Sequence, residues 1–116
     1  MTDRRASLRL KKHLECAIYT GGNEYKATII DISENGIAFE TDMDADIGLL
    51  DTVYITMSDN YLDVCRDEHE YTHTVSGYIK NITATSDGYK RCGCYINDLS
   101  YNRYVQEQYI AHACGR

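Results

Sequence analysis

The chain contains no proline. It also has no internal repeat and no low-complexity stretch, so nothing marks a linker between separate folding units. No apolar run approaches the roughly 18 residues that a membrane helix needs, and no membrane insertion is expected. The first residues are charged and lack an apolar segment, so a secretory signal is not expected either. Cysteine occurs five times, an odd number, and Cys16, Cys65, Cys92, Cys94 and Cys114 form no disulfide-like framework. Reduced thiols and a cytoplasmic location follow as the expectation. With 116 residues, the chain suits one domain with a single modest core and no large cleft between lobes.

What charge there is lies unevenly. The formal net charge is −6, yet Met1–Lys12 holds Arg4, Arg5, Arg9, Lys11 and Lys12 against Asp3 alone, a net +4, which leaves −10 for the remainder. A short basic arm on an acidic body suggests a local anion site. It argues against a broad nucleic-acid face, since the body would repel a long polyanion, and no DNA or RNA partner is expected.

Residues 1–12 show no clear period and read as an extended, flexible arm. Residues 13–116 read as the folded body. His13–Tyr19 alternates, with Leu14, Cys16 and Ile18 on one face. Gly21-Gly22-Asn23 is a hairpin turn, because glycine adopts positive φ at no steric cost. Tyr25–Ile32 and Ile37–Thr41 read as strands around the break at Ser33–Gly36. Thr41–Asp51 is acidic and irregular. Val53, Ile55 and Met57 alternate with Tyr54 and Thr56. Ser58–Glu70 reads as a long acidic connection, Tyr71–Ile82 as a long strand, Ser86-Asp87-Gly88 as a turn and Tyr89–Ile96 as the last strand. Six short strands with tight turns predict a small antiparallel barrel or sandwich. A terminal helix follows, with Ser100 as its cap, Tyr101, Tyr104, Val105 and Tyr109 as its apolar stripe and Gly115 at its far end.

His69-Glu70-Tyr71-Thr72-His73 matches the letters of a zinc-hydrolase H-E-x-x-H motif. That chemistry needs a helix, where residues four apart share a face and two imidazoles reach one ion. Thr72, Thr74 and Val75 favour a strand, on which His69 and His73 would stand about 13 Å apart. Ligation at about 2 Å is then out of reach, and no metal site is assigned. Cys92-Gly93-Cys94 also falls on a strand and reads as a pair of core thiols. No Ser-His-Asp arrangement and no Walker loop is present, so no catalytic residue is assigned.

Two stretches remain. Arg4-Arg5-Ala6-Ser7-Leu8-Arg9 contains R-x-x-x-R at Arg5 and Arg9. Asp31-Ile32-Ser33-Glu34-Asn35-Gly36 reads D-x-S-x-x-G at a junction between strands. Each alone is an ordinary solvated terminus or turn. In this order, with Arg9 and Asp31 22 residues apart, they resemble the PilZ domain family. The resemblance runs from the arginines through Gly77-Tyr78-Ile79 to Ile96-Asn97-Asp98-Leu99-Ser100, which looks like the family's last strand.

That resemblance implies a six-stranded β-barrel that binds the bacterial second messenger cyclic di-GMP and is not an enzyme. It implies Arg4, Arg5 and Arg9 as phosphate and guanine binders, and Asp31, Ser33 and Gly36 as the barrel half of the site. The chemistry fits these residue types. A guanidinium pairs with phosphate oxygens through planar, charge-assisted bonds and matches the guanine O6 and N7 acceptors. A carboxylate accepts from guanine N1–H and N2–H, a hydroxyl donates or accepts beside it, and glycine permits close approach and a positive-φ turn. The arm is expected to order when ligand bridges it to the turn, and a downstream effector protein, unidentified, would read the new surface. The alternative is a ligand-free PilZ-like protein-interaction module. Monomer and dimer both fit, with Tyr101–Cys114 packed on its own barrel or on a second subunit.

Overall fold

The computed structural model describes residues 9–114. Six strands, β1 (Arg9–Thr20), β2 (Asn23–Ser33), β3 (Gly36–Asp42), β4 (Thr52–Leu62), β5 (Glu68–Ala84) and β6 (Tyr89–Ile96), precede one helix, α1 (Leu99–Cys114). Every pairing is antiparallel, and the sheet closes as a barrel in the order β1-β2-β3-β6-β5-β4. Closure comes from β1 meeting β4, with Cys16–Tyr19 opposite Tyr54–Met57. Alternation drives the wall: each strand sends one face inward, as Ile18, Ile29, Phe39, Ile55, Val75 and Cys92 do, and these side chains fill the interior. Gly21 and Gly22 take φ of 59° and 81° between β1 and β2, and Gly88 takes 88° before β6, the conformations that tight hairpins require.

Several boundaries differ from the sequence reading. The first strand begins at Arg9, not His13, because Arg9, Leu10 and Lys11 pair with Ser33, Ile32 and Asp31. The described part of the basic arm is therefore strand. The long acidic connection is a hairpin whose strands run to Leu62 and from Glu68, leaving a tip of residues 63–67. Asp63 organises that tip, its Oδ1 accepting from the Cys65 amide at 2.8 Å and the Asp67 amide at 3.0 Å. Of the segment that looks like the family's last strand, only Ile96 is strand, and Leu99 and Ser100 already belong to α1. The helix cap is Asp98 rather than Ser100: its Oδ1 accepts from the Tyr101 amide at 2.9 Å. Gly115 lies outside the described residues.

HEYTH lies wholly within β5. His69 Nε2 contacts Asp63 Oδ2 at 2.8 Å, and its ring stacks on Tyr61. His73 Nε2 lies 3.6 Å from Asp98 Oδ2. The two rings serve different partners. Cys92 and Cys94 point inward, and burial pushes their thiols up to about 11 and about 12.

The two barrel ends are closed differently. The loop from β3 to β4 inserts Ala45 and Ile47 into the core, and Lys90 Nζ donates to both their carbonyls, at 2.6 and 3.4 Å. The opposite end is covered by α1, which buries Tyr101, Tyr104 and Val105. Tyr104 donates to Asp59 Oδ2 at 2.8 Å, where Lys12 Nζ also arrives at 2.7 Å and Gln108 Nε2 at 3.2 Å. Burial pushes the Asp59 carboxyl up, but these three donors and the Lys12 charge outweigh it and hold it below the ordinary value. The helix thus packs on its own barrel. Among the described residues no helix is long and apolar enough to cross a membrane.

Candidate functional site

The interior is filled, so a site must lie on the outer wall. Strand register builds one there. Arg9 lies opposite Ser33, Ser33 opposite Gly36, and Gly36 opposite Tyr95, which places residues from four strands in one lateral row. A second row runs beside it: Asp31 opposite Ala38, Ala38 opposite Gly93, and Gly93 opposite Asn81. Together the rows form a cleft of about 360 Å³. Gly36, Ala38 and Gly93 give it a low floor. Arg9, Asp31 and Ser33 wall one side, and Lys80, Asn81, Arg91 and Tyr95 wall the other.

Two β-bulges aim the polar walls. In β2 the pairing slips between Ile29 and Asp31, so Ile30 is the extra residue. Strict alternation from Ile29 would turn Asp31 into the core. The bulge inverts the phase, so that Ile32 goes inward, fully buried, and Asp31 goes outward. In β5 the slip falls between Ile79 and Asn81, with Lys80 extra. It turns Asn81 out over Gly93, where a Cβ on Gly93 would stand 2.5 Å from the Asn81 Oδ1. Both re-aimed residues share one lateral row.

Arg9 Nη1 lies 3.9 Å from Asp31 Oδ1. This is beyond hydrogen-bond reach, so the pair is a Coulombic one at a solvated surface and does not engage the guanidinium fork. Arg91 is held more firmly, its Nη2 and Nε donating to Glu40 Oε2 at 2.6 and 3.1 Å. Arg4 and Arg5 lie outside the described residues.

Gly36 departs from one expectation. Its φ is not among the positive ones, which fall at Gly21, Gly22 and Gly88. Crowding is what favours glycine here: an added Cβ would meet Ser33 Oγ at 3.1 Å and the Cys94 carbonyl oxygen at 3.3 Å. The helix reads this turn directly. Tyr101 Oη donates to the Gly36 carbonyl at 2.6 Å, and Gln106 Nε2 donates to Glu34 Oε2 at 2.7 Å. Ile96 N bonds the Asn35 carbonyl at 3.0 Å. Glu34 and Asn35, given no role from sequence, anchor the turn to α1 and β6.

Sequence reasoning missed Lys80, Asn81, Arg91 and Tyr95, which enter the cleft only through pairing of β5 with β6 and β6 with β3. The local signal was the interrupted alternation Ile79-Lys80-Asn81-Ile82, where a pair of polar residues stands between two isoleucines.

The architecture is that of a small closed antiparallel barrel with a helix over one end and a polar cleft on its wall. The PilZ domain family model matches residues 3–110, and the chain belongs to that family. Solved structures agree on the fold. The Bacillus subtilis inhibitor of motility MotI (DgrA) matches with a TM-score of 0.75 and 14% identity, over 97% of this chain and 52% of that one. The PilZ domain of Escherichia coli YcgR, solved with c-di-GMP, gives 0.69 and 11%, over 98% and 95%. The K. pneumonia MrkH–c-di-GMP complex gives 0.68 and 18%, over 98% and 54%. The chain spans about half the length of the MotI and MrkH structures. A comparison with curated proteins finds no match.

Proposed function

We propose that this chain is a receptor for cyclic di-GMP, which it holds between the Arg4–Arg9 arm and the Asp31–Gly36 turn. The observation that carries the reading is the lateral alignment of Arg9, Ser33 and Gly36, with Asp31 turned outward beside them by a bulge. These are the residues of the two motifs, and the cleft they wall is polar and cationic on both sides. The c-di-GMP bound by the PilZ domain of YcgR and by MrkH supports the choice of ligand.

Arg9, with Arg5 and Arg4 before it in the chain, pairs with phosphate oxygens and the guanine Hoogsteen edge. Asp31 accepts from guanine N1–H and N2–H, and Ser33 bonds beside it. Gly36 keeps the floor low enough for a flat base. Lys80, across the cleft, adds positive charge toward a phosphate. Binding, not bond making, is the output, so no general acid, base or nucleophile is required. Ligand ties the arm to the barrel wall, changing shape and charge there, and a downstream effector protein reads that change. Isothermal calorimetry with cyclic di-GMP tests the reading: saturable binding at micromolar concentration supports it, and no heat at tens of micromolar ligand contradicts it.

A further inference from the structure

Beyond Tyr95, the barrel end closed by the β3–β4 loop carries an apolar surface that the ligand reading does not use. Leu50 is 74% exposed and Leu49 61% exposed. Leu50 also has φ of 69°, the left-handed region that a bulky residue seldom adopts. Its place is fixed from both sides, since Leu50 N donates to the Ile79 carbonyl at 2.8 Å and Ile79 N donates to the Asp51 carbonyl at 3.1 Å. Ile79 is free to bond there because β4 begins at Thr52, opposite Tyr78, and leaves Ile79 with no strand partner on that side. Beside the leucines the outer wall presents tyrosine. Tyr78 lies opposite Thr52, and Tyr54 is two residues further along β4 on the same face. Both are about half exposed. Along β4 beyond Tyr54 the sheet is polar and neutral, with Thr56 and Ser58 bonded through their hydroxyls to Thr74 and Thr72 at 2.9 Å each, while Lys80 stands beside Tyr78 on the cleft side. Exposed tyrosines on a firmly held face of low charge match the aromatic enrichment of an interface centre, and the two leucines add apolar area beside them.

Charge selects the occupant. The rim is acidic: Asp42, Asp44 and Asp46 are exposed in or next to the loop and Asp51 is half-buried beside Leu50. A second copy of this chain would bring the same four carboxylates against them, and like charges facing across an interface are costly. We infer that this surface docks a cationic amphipathic segment of a partner protein, its apolar residues on Leu49, Leu50, Tyr54 and Tyr78 and its lysines or arginines on the aspartate rim. The surface adjoins the cleft where Tyr78 packs on Tyr95, at 5.3 Å between ring centres, so the test is run without nucleotide to keep the two bindings apart.

The test uses the full isotope-labelled chain without nucleotide and an 18-residue probe peptide of lysine and leucine in helical amphipathic order. A scrambled peptide of the same composition is the control. The expected result is amide shift changes concentrated at residues 43–54 and at Tyr78, with the scrambled peptide binding at least roughly ten-fold more weakly. Leu49→Ser with Leu50→Ser should weaken the ordered peptide by a similar factor, since two leucines lose their burial. Asp44→Asn with Asp46→Asn should weaken it most at low salt. These side chains are exposed, so the variants keep the wild-type fold and spectrum. Equal binding of both peptides, shifts centred on Glu68–Glu70 or on α1, or unchanged affinity in the leucine variant would each overturn the inference. Concentration-dependent shifts at the same residues without peptide would overturn it in favour of a second copy.

Discussion

The Tyr101 hydroxyl donates to the Gly36 carbonyl at 2.6 Å, joining the first turn of the helix to the last residue of D-x-S-x-x-G. Tyr101 is fully buried, so the bond is shielded and its loss leaves a carbonyl facing a dry site. Tyr101→Phe should cost about 1–2 kcal/mol in urea unfolding, as expected for one unmade buried bond without a cavity. If the turn depends on that bond for its position, affinity for cyclic di-GMP falls as well. Unchanged stability would show that the helix does not hold the turn.

A second link joins the base of the arm to the helix. Lys12 reaches the buried Asp59 at 2.7 Å, with Tyr104 and Gln108 as further donors. Asp59→Ala should destabilise by about 3 kcal/mol, since it strands a shielded ammonium. The depressed Asp59 carboxyl also gives a pH signature. A carboxyl whose folded value lies below its unfolded value adds stability above the unfolded value, near 3.8, and that share is lost as pH falls through the folded value. The gap in melting temperature between wild type and Asp59→Ala should therefore narrow as pH falls below 3.8.

Gly77 in β5 has no room for a side chain, because an added Cβ would overlap the Tyr95 carbonyl oxygen. Backbone cannot yield as a side chain tip can. Gly77→Ala should cost at least about 2 kcal/mol, measured by thermal melting. Gly88→Ala provides the contrast. Nothing lies near its Cβ, and only its φ of 88° opposes alanine, so its cost should be smaller.

His69 should titrate above an ordinary imidazole. Its hydrogen bond with Asp63 is the largest influence and raises it; burial opposes that, and the charges of Asp63, Glu107 and Asp67 add to the rise. Its ring also lies on Tyr61. The stabilisation of the β4–β5 tip is then fully present below the ordinary value of 6.5 and is lost as pH rises through the raised one. A proton NMR titration of the ring should show a midpoint above 6.5, returning toward it in Asp63→Asn.

Much of the fold was legible because strands and turns leave local marks. The glycine pair at Gly21-Gly22 and the alternation around Ile18, Ile55 and Ile79 placed six strands and their turns. The misreadings have one cause: the decisive partner was distant. Arg9–Lys12 looks like a solvated arm until β2 lies beside it. Ser58–Leu62 and Glu68–Glu70 look like acidic loop because their outward residues are polar, whereas Tyr61 turns inward to meet Tyr104, at 5.5 Å between ring centres. Asp98 and Ser100 both suit a helix cap, and only the backbone path decides between them. At the site, Arg9, Asp31, Ser33 and Gly36 were legible as motifs. Lys80, Asn81 and Arg91 were not, since a residue on β5 or β6 becomes a neighbour of Asp31 only through register and bulges.

The most direct test is calorimetry of cyclic di-GMP binding to wild type, Arg9→Ala and Asp31→Ala. Each variant removes a charged hydrogen-bonding partner, worth about 1.5–3 kcal/mol, so each should bind at least ten-fold more weakly while melting like wild type. Absence of binding in wild type, or wild-type affinity in both variants, would contradict the account.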